Sequence, residues 1–137
     1  MNQRFVFAFL LLFELSGCAV VAAPDRHGSP ARVILDPLVT RRNHAAGMLS
    51  VHRAADAVRE ECRHRIFLDG NAIADLRPNE IVTMYAMPGR HVLRVEQTGP
   101  SCRGGSEIAA TSERGLSQSF RTMDPPPDGD LLISMAN

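Results

Sequence analysis

The stretch Cys62-Arg63-His64-Arg65-Ile66-Phe67-Leu68-Asp69-Gly70-Asn71 decides the fold class of this chain. Cys62, His64, Ile66 and Leu68 alternate with Arg63, Arg65 and Phe67, a period of two that marks a strand with one face turned inward. Asp69-Gly70-Asn71 then supplies a tight turn, because glycine tolerates positive φ without steric cost. Working outward, Asn71 to Leu76 is short and apolar, and Arg77-Pro78-Asn79-Glu80 turns the chain again. Ile81 to Met87 is rich in Val, Thr and Tyr, as strands are. Pro88-Gly89 turns into His91 to Thr98. The loop Gly99 to Gly105 leads to Ser106 to Thr111, and Glu113-Arg114-Gly115 turns into Leu116 to Thr122. Asp130 to Met135 closes the chain, and Met48 to Arg53 opens the series. Short strands with turns at this spacing predict an all-β fold, a small antiparallel β-sandwich or partial barrel of about seven strands. Ala54 to Glu61 dissents: its Ala, Arg and Glu suit a helical turn or two.

Before residue 48 the composition changes. Arg4 and the terminal amine precede nine consecutive apolar residues, Phe5 to Phe13, the proportions of a secretory signal. Nine residues cannot cross a bilayer as a helix, which needs roughly 20. Leu15-Ser16-Gly17-Cys18 follows and resembles the lipobox of bacterial lipoproteins, with Cys18 as the acylated first mature residue. By resemblance to lipoprotein sorting signals, Ala19 after the cysteine points to the outer membrane, on its periplasmic face. The expected organisation is a signal peptide over 1–17, a tether over 18–47 and a β-sandwich domain over 48–137. Within the tether Val33-Ile34-Leu35 is an apolar cluster, a candidate for one short docked strand.

The runs Ile66-Phe67-Leu68-Asp69-Gly70, Ala74-Asp75-Leu76 and Met87-Pro88-Gly89-Arg90-His91-Val92-Leu93 occur in an order that carries a family likeness. A strand ending in Asp-Gly, a hydrophobic echo, and Pro-Gly-x-His leading into a strand together resemble PEGA-like modules and small bacterial lipoproteins with a DUF2846-like β-sandwich domain. The likeness covers residues 48 to 137. It implies a small envelope-exposed sandwich with no catalytic activity of its own.

Charge and cysteine count narrow the function further. Fifteen arginines, with no lysine, balance fifteen acids in 137 residues, so the basic excess usual in a nucleic-acid binder is missing. With 45% hydrophobic residues, disorder over the whole length is not expected either. Once Cys18 is lipidated, Cys62 and Cys102 remain, and an even remainder in an oxidising compartment reads as one disulfide. Of the five histidines, His27 and His44 fall in the tether, and His52, His64 and His91 fall on separate strands without ligand spacing. No metal site or cofactor is expected. No Gly-x-x-x-x-Gly-Lys loop and no Gly-x-Ser-x-Gly elbow occurs. The expectation is a non-enzymatic cell-envelope lipoprotein, held to the membrane by its lipid anchor, that binds or braces another envelope component, with an envelope protein as the partner. The alternative is a small-ligand- or metal-dependent envelope enzyme using His52, His64 or His91.

Overall fold

A computed structural model describes residues 28–56, 58–124 and 132–136. The strands are β1 (Ser29–Pro30), β2 (Val33–Ile34), β3 (Gly47–Arg53), β4 (Arg63–Leu68), β5 (Asn71–Leu76), β6 (Glu80–Ala86), β7 (Gly89–Thr98), β8 (Gly105–Ser112), β9 (Ser117–Met123) and β10 (Leu132–Met135). They form two five-stranded sheets, in the orders β1-β6-β3-β9-β10 and β2-β5-β4-β7-β8. Eight of the ten strands lie beyond residue 46, against the seven or so that the turn signals suggested.

The sheets pack face to face as a sandwich, and the alternation of the sequence is what builds its inside. In β6 every second residue from Glu80 to Ala86 is buried, and in β4 His64, Ile66 and Leu68 are buried while Arg63, Arg65 and Phe67 are not. Leu49 and Val51, Val82 and Met84, Leu93 and Val95, and Phe120 meet in one core. Each fully buried side chain of this size contributes about 1.5–3 kcal/mol. The β4–β5 connection is a two-residue turn in which Asp69 and Gly70 both have positive φ, at 50° and 83°. That geometry matches the right-handed twist of the flanking strands. One residue is inserted in β5 between the pairs Ile66–Ala74 and Phe67–Ala72. The bulge lets Ile73 as well as Ala74 reach the core.

The sheets depart from an all-antiparallel plan in two places. β3 pairs with β9 in parallel, Met48 opposite Ser117 through Arg53 opposite Thr122, and β1 pairs with β6 in parallel. The first follows from the path of the chain, which crosses to the second sheet and back between β3 and β9, as a parallel neighbour requires. Residues expected to form the tether are also engaged with the sandwich. β1 lies along Glu80–Ile81 of β6, and β2 pairs with Ala74–Asp75 of β5, so residues 29–34 step from the edge of one sheet to the edge of the other. Val39 packs on the core and accepts from Tyr85 N–H at 2.8 Å. Among the described residues the sheets therefore begin at Ser29, ahead of Met48.

The helical turns expected over Ala54 to Glu61 are not formed in the described part of that segment. The reason lies in the Arg59 amide, which donates to Asp124 Oδ2 at 2.9 Å. A helix would commit that amide to the carbonyl of Ala55.

Candidate functional site

Two regions carry chemistry, and the inward or outward parity of the strands sets both. On the outer face of the first sheet, β3 offers Met48, Ser50 and His52, β6 offers Ile81 and Thr83, and β9 offers Ser117, Ser119 and Arg121. The register places Ser50 opposite Thr83 on one side and Ser119 on the other, so three hydroxyls run across three strands. Ser50 and Thr83 share a hydrogen bond of 3.2 Å. Ser134 of β10 lies opposite Arg121. These residues line an open groove of about 800 Å³ that also takes in Met123 and Met135. Among the described residues no acidic side chain lines it, and Arg121 supplies its fixed charge. Such a surface offers hydroxyl donors and acceptors between apolar thioethers, and its charge favours a neutral or anionic ligand.

The second region lies inside. At one end of the sandwich the inward rows turn polar together: Arg53 after Leu49 and Val51, His64 before Ile66 and Leu68, Gln97 after Leu93 and Val95, and Thr122 after Phe120. Asp124 follows β9 by one residue and completes the group. Arg53 donates through Nη1 to Cys62 O at 2.6 Å and Leu76 O at 3.2 Å, and through Nη2 to Arg59 O at 3.0 Å and Asp124 Oδ1 at 3.1 Å. The Arg59 amide donates to Asp124 Oδ2 at 2.9 Å. His64 completes a chain, with Nε2 at 2.8 Å from Asp124 Oδ1 and Nδ1 at 2.9 Å from Thr122 Oγ1.

Burial fixes the protonation of this chain. It is the main force that pushes His64 down to about 4, and the neighbouring Arg53 charge adds to it against the pull of Asp124. A neutral imidazole beside a carboxylate must donate through Nε2, so Nδ1 accepts from the Thr122 hydroxyl. Burial also opposes the Asp124 carboxylate, but the Arg59 amide, the Arg53 charge and the His64 hydrogen bond together hold its pKa below the usual range. For Arg53 burial prevails over Asp124 and lowers its pKa, though an arginine starts so far above neutrality that it stays charged.

Thr122, His64 and Asp124 thus stand in the hydroxyl–imidazole–carboxylate order used by hydrolases. The hydroxyl, however, is 0% exposed, and so is His64. A substrate would reach Thr122 only if the covering segments opened. One clamp on those segments is the Cys62–Cys102 disulfide, formed between residues 40 apart in sequence as the cysteine count predicts. It ties the start of β4 to the Gly99 to Gly105 loop directly beside Arg53. The arrangement neutralises charge and anchors loop carbonyls at one end of the core.

The three histidines singled out in the sequence occupy three places. His52 lies on the outer face of the first sheet, with Nε2 at 3.1 Å from Asn79 Oδ1. His64 belongs to the interior network. His91 begins near the β4–β5 turn, where Nδ1 lies 2.7 Å from Asp69 Oδ2 and Nε2 lies 2.7 Å from Met87 O. Both of its nitrogens face acceptors, so both must donate, which makes this ring an imidazolium. Burial works against that charge, but Asp69 and the Met87 carbonyl outweigh it and raise the His91 pKa. Among the described residues no three His, Cys, Asp or Glu side chains gather as a metal would need. Cys18 and His27 lie outside the described residues.

The sequence reading missed Arg53, Thr122, Asp124 and Gln97. A signal for the first was present: Arg53 shares the inward parity of Leu49 and Val51, and an inward arginine demands a buried partner. No protein-family model, curated protein or solved structure matches the chain.

Proposed function

We propose that this protein is a lipid-anchored component of the bacterial cell envelope, a tethered β module that binds or braces another envelope component through the outer face of its first sheet. The carrying observation is the groove itself, with Ser50, Thr83 and Ser119 in one row, methionines on its flanks and, among the described residues, no acid in its lining. In this reading residues 1–17 are a signal peptide, Cys18 is acylated, and the outer membrane is the destination. Several acyl chains then hold the protein, each buried methylene adding about 0.8 kcal/mol. Gly28 packs close to His52, at one end of the groove. The ten residues from Cys18 to Gly28 span at most about 35 Å when extended, so the groove would stay near the membrane surface.

Two measurements test this reading. Cells expressing the protein are fed a labelled fatty acid, with Cys18→Ser as the control; label in the wild type alone is expected. A photo-crosslinking residue is then placed at Ser119 in the groove or at Arg65 on the outer face of the other sheet. Adducts recovered from position 119 and not from position 65 support the groove. Equal recovery from both would count against it, and absence of label in the wild type would remove the anchor.

A further inference from the structure

β8 is an edge strand of the second sheet: β7 pairs with one side, and among the described residues no strand pairs with the other. The ladder determines which backbone groups face the open side. Gly104 lies opposite Gln97 in the continued β7–β8 register, and the Gln97 amide donates to Gly104 O at 2.9 Å. Hydrogen-bonded and non-bonded pairs alternate along an antiparallel ladder. Ser106, Ile108, Ala110 and Ser112 therefore direct their backbone groups to β7, and Gly105, Glu107, Ala109 and Thr111 direct theirs outward. The far side of β7 agrees, since the Asp69 amide donates to Val92 O at 2.9 Å, which commits the even-numbered residues of β7 to β4.

Exposed edges are usually blunted by shortness, proline, lysine or a bulge. β8 has none of these: it runs for eight residues as Gly-Ser-Glu-Ile-Ala-Ala-Thr-Ser in unbroken register with β7. Its one charge, Glu107, lies opposite Arg94 of β7, whose guanidinium pairs with Glu96 and lies over the Phe67 ring.

We propose that β8 is the seam of a two-fold homodimer, in which β8 of a second copy adds in antiparallel register with the axis at Ile108. The occupant is argued from self-complementarity. With the axis there, Gly105 meets Thr111 of the second copy and Glu107 meets Ala109, each twice by symmetry. All four outward residues are paired, and two hydrogen bonds per pair make about eight across the seam. Shifting the axis to residue 107 sets two glutamates face to face, and shifting it to 109 leaves Gly105 beyond the end of the partner strand. At the chosen axis Ile108, which packs partly on its own core, sits directly opposite its counterpart. That position is a non-hydrogen-bonded pair, the closer of the two kinds. The two second sheets become one ten-stranded sheet. An interface of this kind is isologous and closes at two copies.

The test measures the mass of the full chain, purified in detergent, by light scattering with the detergent contribution subtracted. The wild type should have the mass of two chains. Ala109→Pro removes an amide that faces away from β7, so the fold is retained, as an unchanged circular dichroism spectrum and melting temperature would show, and the mass halves. Ala109→Glu places a carboxylate opposite Glu107 and should also give monomer, whereas Ala109→Lys should keep the dimer at lower protein concentration than the wild type. A monomeric wild type overturns the proposal. So does a dimer that survives Ala109→Pro, or one that responds alike to Glu and Lys at position 109.

Discussion

Arg53 Nη2 lies 3.1 Å from Asp124 Oδ1, with the two side chains only 1% and 3% exposed. An ion pair this far from water is costly to break from one side, because the partner left behind is an uncompensated buried charge. Arg53→Met is therefore expected to cost about 3–5 kcal/mol of stability, and Asp124→Ala a similar amount. The double variant should lose less than the sum, since neither charge is then stranded. Urea unfolding of the four proteins measures the coupling directly. Strict additivity would mean that the pair is not the unit that holds this end of the sandwich.

The His64 imidazole gives the stability a pH dependence whose sign is fixed by its environment. Its pKa is about 4 in the folded protein and about 6.5 when exposed, so the unfolded chain binds a proton first as pH falls. Stability then drops between about pH 6.5 and pH 4, by roughly 3 kcal/mol for the full shift. Asp124, held below the usual carboxylate range, adds a further loss below that window as it protonates. Urea midpoints measured across pH 4 to 7 should show the decline, and His64→Gln should flatten it even though that variant starts from a lower stability. A slope unchanged by the substitution would place the titration elsewhere.

The Cys62–Cys102 bridge closes a loop of about 40 residues, which the chain-entropy model converts to about 4 kcal/mol. The bridge also fixes a segment whose carbonyls receive Arg53. Replacing both cysteines with serine should thus do more than lower the unfolding midpoint. The His64 ring, wholly buried in the bridged protein, should gain solvent exchange at its Nε2 proton, readable by nuclear magnetic resonance. A stable serine variant with His64 exchange as slow as in the wild type would confine the bridge to an entropic role.

Much of this architecture is legible in the residues, for a definite reason. Strand and turn in β4 and β5 depend on neighbours a few positions apart, so Asp69-Gly70 and the alternation through Leu68 suffice to place them. The disulfide needs only a count and a compartment. What escapes is information carried by long-range pairing. The parallel contact of β3 with β9 joins residues almost seventy positions apart, and nothing local at Ser117 announces it. The interior network fails to show for the same reason: Arg53, His64, Gln97 and Thr122 come from four strands, and only the stacked sheets bring their ends together. The propensity of Ala54 to Glu61 for helix is a local signal overridden by one distant demand, the hydrogen bond of the Arg59 amide to Asp124.

His91 provides the opposite pH behaviour to His64, from the same physical rules. Its ring nitrogens face Asp69 Oδ2 and Met87 O at 2.7 Å each, and its pKa is raised in the fold. A raised pKa means that the folded protein holds this proton more tightly, so its contribution is complete below about pH 6.5 and disappears as pH climbs through the folded value. Burial disfavours the Asp69 carboxylate, but the hydrogen bonds from His91 and the Val92 amide lower its pKa overall. The pair therefore operates between the two folded pKa values and fades on either side. Asp69→Asn keeps a residue that tolerates the positive φ of this turn and can still accept from Val92, but it removes the charge. Titration followed by nuclear magnetic resonance should place His91 above the ordinary histidine value in the wild type and lower it in Asp69→Asn. His64 should be unmoved by that change, because its partners are Asp124 and Thr122. An equal shift at both rings would mean that the substitution disturbs the whole sandwich, not the contact at the turn.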